Sequence, residues 1–532
     1  MDIDFTRISA RHLKALLHGT AEIALFDVRE HGEYGEGHPF LACSLPYSRL
    51  ELELPRLAPR HGVPIVFLDD DERIAKLAVK RAAALGYTNL AILEGGLPAW
   101  RDEGYGVFAG VNLPSKTFAE MVEHHYGTPS LPAKELAKKM KAGNEIAILD
   151  GRTLAEFEKM SIPGAISCPN GELPYRLRDV VPSDSTPIVI NCAGRTRSII
   201  GAQTLIQLGV SNPVMALRNG TQGWYLADLP LDHGSTLSYP DVVTPSGANE
   251  LRQAAQALLS RYPVSVIDAS TLEHWLLDDT RSLFCFDIRG EAEYRRQPVN
   301  GVRNVPGGQL LQTLDQHVGV RNARIVLVDT DGVRAPVVGH WLVQMGHAVA
   351  LINADALAGI RLPDIPAWRP PHLPTYPLNR LLAEVAAGNV QLIDVRSSTD
   401  FRQAHIPGAR WSIRPRVVDD VAALPTMVVI AADDPAIAAL AALELPPGLR
   451  PHSLEGGFTA WQRQGLPVTA SPYHPPDADC IDFLFFVHDR HAGNKESAQR
   501  YLAWEMGLIA QLDEQERRLF TFANGGKVEH DE

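Results

Sequence analysis

Four short apolar runs, each ending in the pattern Asp-x-Arg, recur along the chain. They lie at residues 24–29, 148–152, 284–289 and 391–396. A second apolar run follows each of them, at residues 65–68, 188–191, 325–328 and 427–431. Each copy also contains a short helical segment with an acidic-aromatic pair and an Ala-rich helical stretch. Three copies end in a Gly turn that leads to Trp100, Trp224 or Trp461.

The spacing inside the copies indicates duplication of one unit. The residue after the second run lies 42 positions after the repeat Asp in three copies, where it is Asp69, Cys192 or Asp329. In the fourth copy Ala432 follows the repeat Asp by 38 positions. Apolar strands that alternate with helices predict α/β units, each with a parallel sheet covered by helices on both faces.

Pro/Gly-rich stretches mark the predicted boundaries of these units. We expect domains at residues 1–110, 128–232, 262–368 and 376–470, referred to below as units one to four, and a helical tail at 477–532. Helical linkers are predicted to precede unit two, at 118–124, and unit three, at 249–261. Apolar residues at helical spacing predict one long amphipathic helix over 496–520 in the tail, which would dock on the body or on a partner subunit.

Only unit two has a nucleophile after its second strand. Cys192 is followed by Ala193-Gly194-Arg195-Thr196-Arg197 and then by a helical run. A thiol between a strand end and a helix start meets converging backbone N–H groups and the positive end of the helix dipole. Arg195 and Arg197 add positive charge, so the environment is expected to favour the thiolate that a sulfur nucleophile needs.

The other cysteines are predicted to lack chemical roles. Cys43, Cys168 and Cys285 align with apolar strand positions of the other copies, which is typical of core residues. Cys480 lies in the tail and has no counterpart. Asp69 and Asp329, at the position of Cys192, cannot carry transferable sulfur. We expect each carboxylate to occupy the amide nest of its own loop as an internal anion.

These motifs in this order resemble the rhodanese family of sulfurtransferases, over residues 1–470. The motifs are Asp-x-Arg, Ile162-Pro163-Gly164-Ala165, Cys192 with its loop, and Gly-x-x-x-Trp. The resemblance implies four tandem rhodanese-like domains, each with a five-stranded parallel sheet whose fourth strand leads into the active loop. It also implies that Cys192 attacks the outer sulfur of thiosulfate, forms a persulfide and passes the sulfur to cyanide or a thiol. The implied substrate-binding residues are Ala193, Gly194, Arg195, Thr196 and Arg197, with Arg152 as a secondary candidate at the pocket mouth.

Three alternatives remain open at this stage. The first is a relay or scaffold that hands persulfide sulfur to a partner protein. The second is 3-mercaptopyruvate as donor, although the basic loop resembles the type that uses thiosulfate. The third is a phosphatase, which the family's longer Cys-x5-Arg loop disfavours, since Ser198 stands six residues after Cys192 and Arg197 stands five after it.

Other polar and aromatic residues are predicted to be structural. Asp150 and Arg152 belong to a motif present in all four units and should tie the first loop to a neighbouring helix. Trp224 is expected to be a packing anchor, and Glu172 with Arg176 a solvated loop. His488 and His491 flank a carboxylate but lack a third ligand, so we predict neither a metal site nor a cofactor.

Composition excludes several other functions. The chain has 532 residues and a net charge of −13 without a long basic run, which argues against nucleic acid and anionic lipid as partners. Its apolar runs are shorter than the ~20 residues that cross a membrane, and its N-terminus lacks a signal-peptide pattern. Five cysteines are too few, and odd in number, for a disulfide framework, so we expect a reducing, cytoplasmic location. The apolar stripe of the tail also leaves room for a homodimer.

Overall fold

The computed structural model describes residues 5–240, 245–365, 367–488 and 494–523, with the backbone alone at 245–248, 486 and 488. Its strands form four five-stranded sheets, one in each unit. In every sheet the first strand of the unit is followed by the fifth, fourth, second and third. The strand pairings within the sheets are parallel. The predicted fold class, four tandem α/β domains with a helical tail, is therefore confirmed.

Unit one begins the chain and surrounds its sheet with five helices. Its strands are β1 (Thr6–Ile8), β2 (Ala24–Asp27), β3 (Cys43–Ser44), β4 (Ile65–Leu68) and β5 (Leu90–Leu93). Its helices are α1 (Ala10–Leu17), α2 (His31–Glu36), α3 (Leu50–Leu57), α4 (Arg73–Ala84) and α5 (Gly96–Asp102), with a 3-10 turn at Tyr47–Arg49. The residues of β2, β4 and β5 are buried throughout, as expected for parallel strands covered on both faces.

Unit two follows the linker helix α6 (Leu113–Tyr126), which confirms the first predicted linker. Its strands are β6 (Ser130–Leu131), β7 (Ala147–Asp150), β8 (Ile166–Ser167), β9 (Ile188–Asn191) and β10 (Val214–Leu217). Its helices are α7 (Ala133–Lys141), α8 (Leu154–Lys159), α9 (Leu173–Val180), α10 (Thr196–Gln207) and α11 (Gly220–Leu226). Thr153 begins α8 with a capping box closed by Glu156, so sequence chemistry alone accounts for the start of this helix.

Unit three follows the second linker helix, α12 (Pro245–Arg261). Its strands are β11 (Ser265–Ile267), β12 (Leu283–Asp287), β13 (Arg303–Asn304), β14 (Arg324–Asp329) and β15 (Ala348–Asn353). Its helices are α13 (Ala269–Leu277), α14 (Glu291–Arg296), α15 (Gly307–Gln312) and α16 (Arg334–Gln344), with 3-10 turns at Leu314–Gln316 and Ala354–Leu357. The second of these turns replaces the helix that follows the Gly turn in the other units.

Unit four has the same layout as unit one. Its strands are β16 (Thr375–Tyr376), β17 (Val390–Asp394), β18 (Arg410–Trp411), β19 (Met427–Ala431) and β20 (Arg450–Leu454). Its helices are α17 (Leu378–Ala386), α18 (Ser398–Gln403), α19 (Val417–Asp420), α20 (Pro435–Ala442) and α21 (Gly457–Arg463), with a 3-10 turn at Arg414–Arg416. The buried ion pair of Arg414 with Glu51 joins this unit to unit one.

The prediction of one long tail helix is wrong. After a 3-10 turn at Asp477–Asp479, the tail forms α22 (Phe485–His488), α23 (Lys495–Met506), α24 (Leu508–Gln511) and α25 (Glu514–Arg517). Gly507, a poor helix former, separates α23 from α24. Asp513 starts α25 with a capping box, because its side chain accepts from the Glu516 amide.

The tail docks on the body of its own chain. Lys14 of unit one binds Glu516 at 2.8 Å, and the Trp504 indole donates to the Ala109 carbonyl at 3.0 Å. The Thr521 amide donates to Gln344 of unit three at 2.8 Å. Leu508, Leu512 and Phe520 join the apolar core that runs through units one, two and three. The tail therefore ties three units together.

The Asp-x-Arg motif has the same structural role in all four units. Its Arg binds the motif Asp and also donates to a main-chain carbonyl eight residues further along, at Gly37, Met160, Gln297 or Ala404. The contact fastens the loop after the strand to the end of the next helix. The structural interpretation of Asp150 and Arg152 is confirmed, and Arg152 is buried in these contacts.

Candidate functional site

Cys192 lies directly after β9 and four residues before the start of α10. The carboxyl ends of parallel strands are where open α/β sheets place ligand sites. The Cys192 thiol donates to the Ser198 hydroxyl at 3.5 Å, and this hydroxyl donates to the Arg195 carbonyl at 2.8 Å. The side chain is 2% exposed. The loop from Cys192 to Arg195 thus turns back on itself around the sulfur atom.

The equivalent loops of units one and three hold an anion in the position of the sulfur. Asp69 accepts from the amides of Glu72, Ile74 and Ala75 at 2.7, 2.7 and 3.1 Å. Asp329 accepts from the amides of Asp331 and Gly332 at 3.3 and 2.8 Å. The expectation that these carboxylates occupy their own amide nests is confirmed. In the register of unit two, the matching amides belong to Gly194, Arg195, Arg197 and Ser198.

Replacement of Asp69 by Ala is expected to destabilise unit one by roughly 2 kcal/mol or more, because it leaves buried loop amides without an acceptor. The measurement is the free energy of unfolding in urea. Asp71→Ala is the matched control, since Asp71 is exposed and caps only the Arg73 amide. Equal stability of the two variants would contradict an anion-binding nest in this loop.

The Gly turn of each repeat lies against the backbone of this loop. A Cβ on Gly220 would clash with the Cys192 carbonyl. A Cβ on Gly96 or Gly457 would likewise clash with the carbonyl of Asp69 or Ala432. All three glycines have a positive φ. Because α11 begins here, the Thr221 amide donates to the Cys192 carbonyl at 2.7 Å. Close approach of two backbones explains why the turn requires glycine.

Unit three lacks this turn, and its loop is open to solvent. A cavity of about 860 Å³ lies where the helix is missing and is lined by Asp329, Asn353 and Asp355, among others. In unit two α11 covers the same side of the loop. The Trp that follows the turn is a packing residue, as predicted, since Trp224 is buried and its indole donates to the Pro230 carbonyl at 2.7 Å.

Both arginines of the loop are engaged in ion pairs. Arg195 binds Glu120 of the linker helix α6 through two bonds of 2.6 and 2.8 Å and also binds Glu123. Arg197 binds Glu156 of α8 through two bonds of 2.7 and 2.8 Å. Arg334 and Glu293 of unit three repeat the second pair. Sequence reasoning missed the three glutamates, although Glu156 and Glu293 belong to the acidic-aromatic pair noted in each repeat.

The pair of Glu156 and Arg197 predicts a pH dependence of stability. Burial alone would raise the pKa of Glu156, but the Arg197 guanidinium lowers it to about 2. A lowered pKa means that the contribution of Glu156 is present above its ordinary value of 4.5 and is lost as the pH falls toward 2.

We therefore expect Glu156→Gln to lower the midpoint of thermal unfolding at pH 7, and the difference from the natural protein to shrink from pH 4.5 downward. Thermal unfolding from pH 7 to pH 3 measures this. Glu135→Gln, at an exposed position of α7, is the control. A difference in unfolding midpoint that is constant over this pH range would show that the ionised Glu156 carboxylate does not stabilise the protein.

The tail helix α23 covers the Cys192 loop from the other side. A Cβ on Gly194 would lie 3.0 Å from Glu505, 3.5 Å from Tyr501 and 3.8 Å from Leu502. Glu505 accepts from the Thr196 hydroxyl at 2.8 Å, and its second oxygen has no hydrogen-bond partner in the described part of the chain. This carboxylate is 1% exposed. Its role was not visible in the sequence because it lies 309 residues from Thr196.

The expectation that the environment favours the Cys192 thiolate is wrong for this conformation. Burial is the largest influence and raises the pKa of the thiol, while Arg197 and the Ser198 contacts lower it and Glu505 raises it further. The net direction is upward because the charge of Arg197 is shared with Glu156 and the loop is closed to water. Closure of the loop beneath α23 therefore disfavours the thiolate.

The remaining cysteines have no comparable surroundings. Cys43 and Cys168 are buried in the apolar core, and Cys285 packs on the apolar cluster of unit three. Burial raises the pKa of Cys285 to about 12. Cys480 is buried against the carbonyls of Pro475 and Pro476. The core assignment is confirmed for Cys43 and Cys168, whereas Cys285 is half-buried at the edge of its cluster.

Glu172 and Arg176 do not form the predicted solvated loop. Both are buried, at the start of and within α9, and they bind each other at 3.3 Å. Glu172 also accepts from Arg334 of unit three at 2.8 Å and from the Gly290 amide at 3.2 Å. Packing of unit two on unit three buries this polar segment, and its side chains bind residues of unit three.

His488 and His491, where we predict no metal site, have no described side chains. His491 lies outside the described residues, and at His488 the backbone alone is described. Among the described residues, no three His, Cys, Asp or Glu side chains are grouped as they are around a metal ion. Within the same part of the chain, no helix has both the length and the apolar character needed to cross a membrane.

Comparison with known proteins matches this architecture to a family. The model of the rhodanese-like domain matches residues 9–103, 132–227 and 378–464. The crystal structure of a thiosulfate sulfurtransferase from Pseudomonas aeruginosa has 36% sequence identity and a TM-score of 0.90, and the match covers 98% of this chain and 100% of that one.

Curated relatives match shorter parts of the chain. SseB of Mycobacterium tuberculosis is 29% identical over 176 residues, which are 31% of this chain and 60% of SseB. A sulfurtransferase of Allochromatium vinosum is 29% identical over 101 residues, which are 19% of this chain and 92% of that protein. With three matched domains, a shared sheet order in all four units, and a similar solved structure over nearly its whole length, the chain belongs to the rhodanese family.

Proposed function

We propose that the protein is a sulfurtransferase that moves sulfane sulfur from thiosulfate to a thiophilic acceptor through a persulfide on Cys192. The observation that carries the proposal is the anion nest seen with Asp69 and Asp329, because the register of the repeats places the Cys192 thiol at the position of those carboxylates. A persulfide anion, like those carboxylates, carries a negative charge that can accept hydrogen bonds from the loop amides. The names of similar proteins from Pseudomonas aeruginosa and Allochromatium vinosum agree with this activity.

The proposed cycle has two displacement steps. Cys192 first loses its proton to water that enters the loop with the donor, and the thiolate attacks the outer sulfur of thiosulfate. A bond forms between the Cys192 sulfur and this sulfur, the bond to the sulfonate sulfur breaks, and sulfite leaves with the electron pair. A second nucleophile, cyanide or a thiolate, then attacks the outer sulfur and leaves as thiocyanate or a persulfide. This step regenerates the Cys192 thiolate, as in a ping-pong mechanism.

The loop residues have distinct parts in this proposal. The amides of Gly194, Arg195, Arg197 and Ser198 hold the negative charge that develops on the outer sulfur. Their N–H groups lie at the start of α10, where the helix dipole favours an anion. Ala193 and Thr196 shape the loop. Arg195 and Arg197 neutralise the carboxylates that they bind, so that these carboxylates repel an anionic donor less.

Thiosulfate is proposed as the donor because the loop sequence resembles the type that uses thiosulfate and because sulfite is a leaving group that needs no proton. The five cysteines are free, which supports a reducing compartment such as the cytoplasm. The relay alternative differs only in the acceptor, which would be a protein thiol in place of cyanide.

Steady-state rates with thiosulfate and with 3-mercaptopyruvate, each with cyanide and with dithiothreitol as acceptor, test the assignment. The proposal expects the larger kcat/KM with thiosulfate. A larger kcat/KM with 3-mercaptopyruvate would identify that compound as the donor in place of thiosulfate. Absence of thiocyanate with either donor would refute the proposed function.

A further inference from the structure

A second cavity, of about 270 Å³, lies between unit one and unit three. It borders the first half of β12, which is an open sheet edge because β13 pairs only with Phe286 and Asp287. Unit one contributes Arg56, Pro59 and Arg60 from the end of α3 and the segment after it. The cavity shares no residue with the Cys192 loop.

Two of the four arginines that line this cavity have no carboxylate partner among the described residues, whereas Arg56 binds Glu53 and Arg60 binds Glu22. Arg281 donates only to the Asn322 carbonyl, and Arg303 only to His317. Within the described residues, no carboxylate lies within ion-pair distance of either guanidinium. Arg195, Arg197 and Arg334, in contrast, each bind at least one carboxylate.

Two other observations describe the surroundings of these arginines. Burial and the neighbouring Arg56 lower the pKa of Arg303 to about 10, while Glu53 raises it. Burial and Arg324 lower the pKa of Arg281, while Glu22 and Asp278 raise it. In addition, Nε of Arg60 is buried and has no hydrogen-bond partner within the described chain, although its terminal nitrogen binds Glu22 at 2.8 Å.

The rest of the wall is largely apolar. Trp275, Leu276, Phe284, Leu362 and Pro363 contribute to it. Three carboxylates also line the cavity, but Asp278 is bound to Arg324 at 2.7 Å, and Asp279 and Asp364 are exposed at its rim. An apolar wall with a few converging polar groups is the usual composition of a small-molecule site.

We propose that this cavity binds a small organic monoanion, with a carboxylate against Arg281 and Arg303 and an apolar body against Trp275 and Leu362. A planar guanidinium suits a carboxylate because it can donate two parallel hydrogen bonds. The rim carboxylates disfavour a ligand of higher negative charge. Because both units form the walls, the ligand joins them, which gives unit three, whose loop has Asp329 in place of the nucleophile, a role in binding.

Thermal unfolding of the full chain with benzoate as probe tests this site. Benzoate is expected to raise the unfolding midpoint in a saturable way, whereas benzamide, of the same shape without charge, leaves it unchanged. Arg281→Gln and Arg303→Gln should each raise the half-saturating benzoate concentration by about tenfold, the effect of losing one charge-assisted hydrogen bond. Arg295→Gln, an exposed arginine of the same unit, is the control and should behave like the natural protein.

Three results would overturn the proposal. Benzoate and benzamide could act alike, sulfate could match benzoate at equal ionic strength, or both arginine variants could keep the half-saturating concentration of the natural protein. The first two comparisons use the natural protein alone, so they decide the question even if a variant does not fold. Trp275→Leu supplies a variant without a charge change and should also weaken benzoate binding.

Discussion

Replacement of Cys192 by Ala is expected to lower the rate of thiocyanate formation from thiosulfate and cyanide by roughly a thousandfold or more. The reason is that the sulfur of Cys192 forms the covalent intermediate, and no second thiol lies in the loop to replace it. Initial rates under saturating donor and acceptor measure the loss. The substitution removes one small buried side chain, so the variant should remain folded.

Cys285→Ala is the matched control for this experiment. Cys285 is half-buried in unit three, and burial keeps its pKa at about 12, so it should contribute nothing to turnover. A Cys192→Ala protein that retains more than a few per cent of the natural rate would contradict the assignment. Loss of activity in Cys285→Ala, with Cys192 intact, would contradict it as well.

Replacement of Glu505 by Gln is expected to raise kcat/KM for thiosulfate by about tenfold at neutral pH. Glu505 raises the pKa of Cys192, so its neutralisation lowers that pKa and increases the fraction of thiolate. The rise of rate with pH should therefore shift to lower pH. Removal of a buried negative charge beside Gly194 also weakens the repulsion of a dianionic donor. Gln keeps a carbonyl oxygen that can accept the Thr196 hydrogen bond.

Glu496→Gln is the control for this substitution, because Glu496 is an exposed residue of the same helix paired with Arg500. Its pH profile should match that of the natural protein. An unchanged pH profile for Glu505→Gln would show that the carboxylate of α23 does not influence the thiol. A tenfold decrease in kcat/KM would show that Glu505 assists the reaction instead of restraining it.

The repeated architecture could be predicted from the sequence because its signals are local. The spacing from Asp150 to Cys192 depends on two helices, two strands and the turns between them, and these elements follow from apolar periodicity and turn residues. The same spacing predicts that Asp69 and Asp329 occupy the nest. The core positions of Cys43 and Cys168 followed from the alignment of the copies.

The surroundings of the thiol could not be predicted in the same way, because they come from distant parts of the chain. Glu120 belongs to a linker helix and Glu505 to the tail, and no local pattern relates either residue to the loop. The upward shift of the Cys192 pKa results from this closure, so the sequence of the loop alone predicts the wrong direction of the shift. Glu172 likewise looked solvated because its partner Arg334 lies in the next unit.

The most direct test of the account is a mass measurement of the intact protein after incubation with thiosulfate and removal of small molecules. The account predicts a gain of one sulfur atom, located by peptide mapping on Cys192, and reversal of the gain by cyanide. The Cys192→Ala protein should show no gain. An unmodified natural protein, or a sulfur atom found on another cysteine, would contradict the claim that this chain transfers sulfur through Cys192.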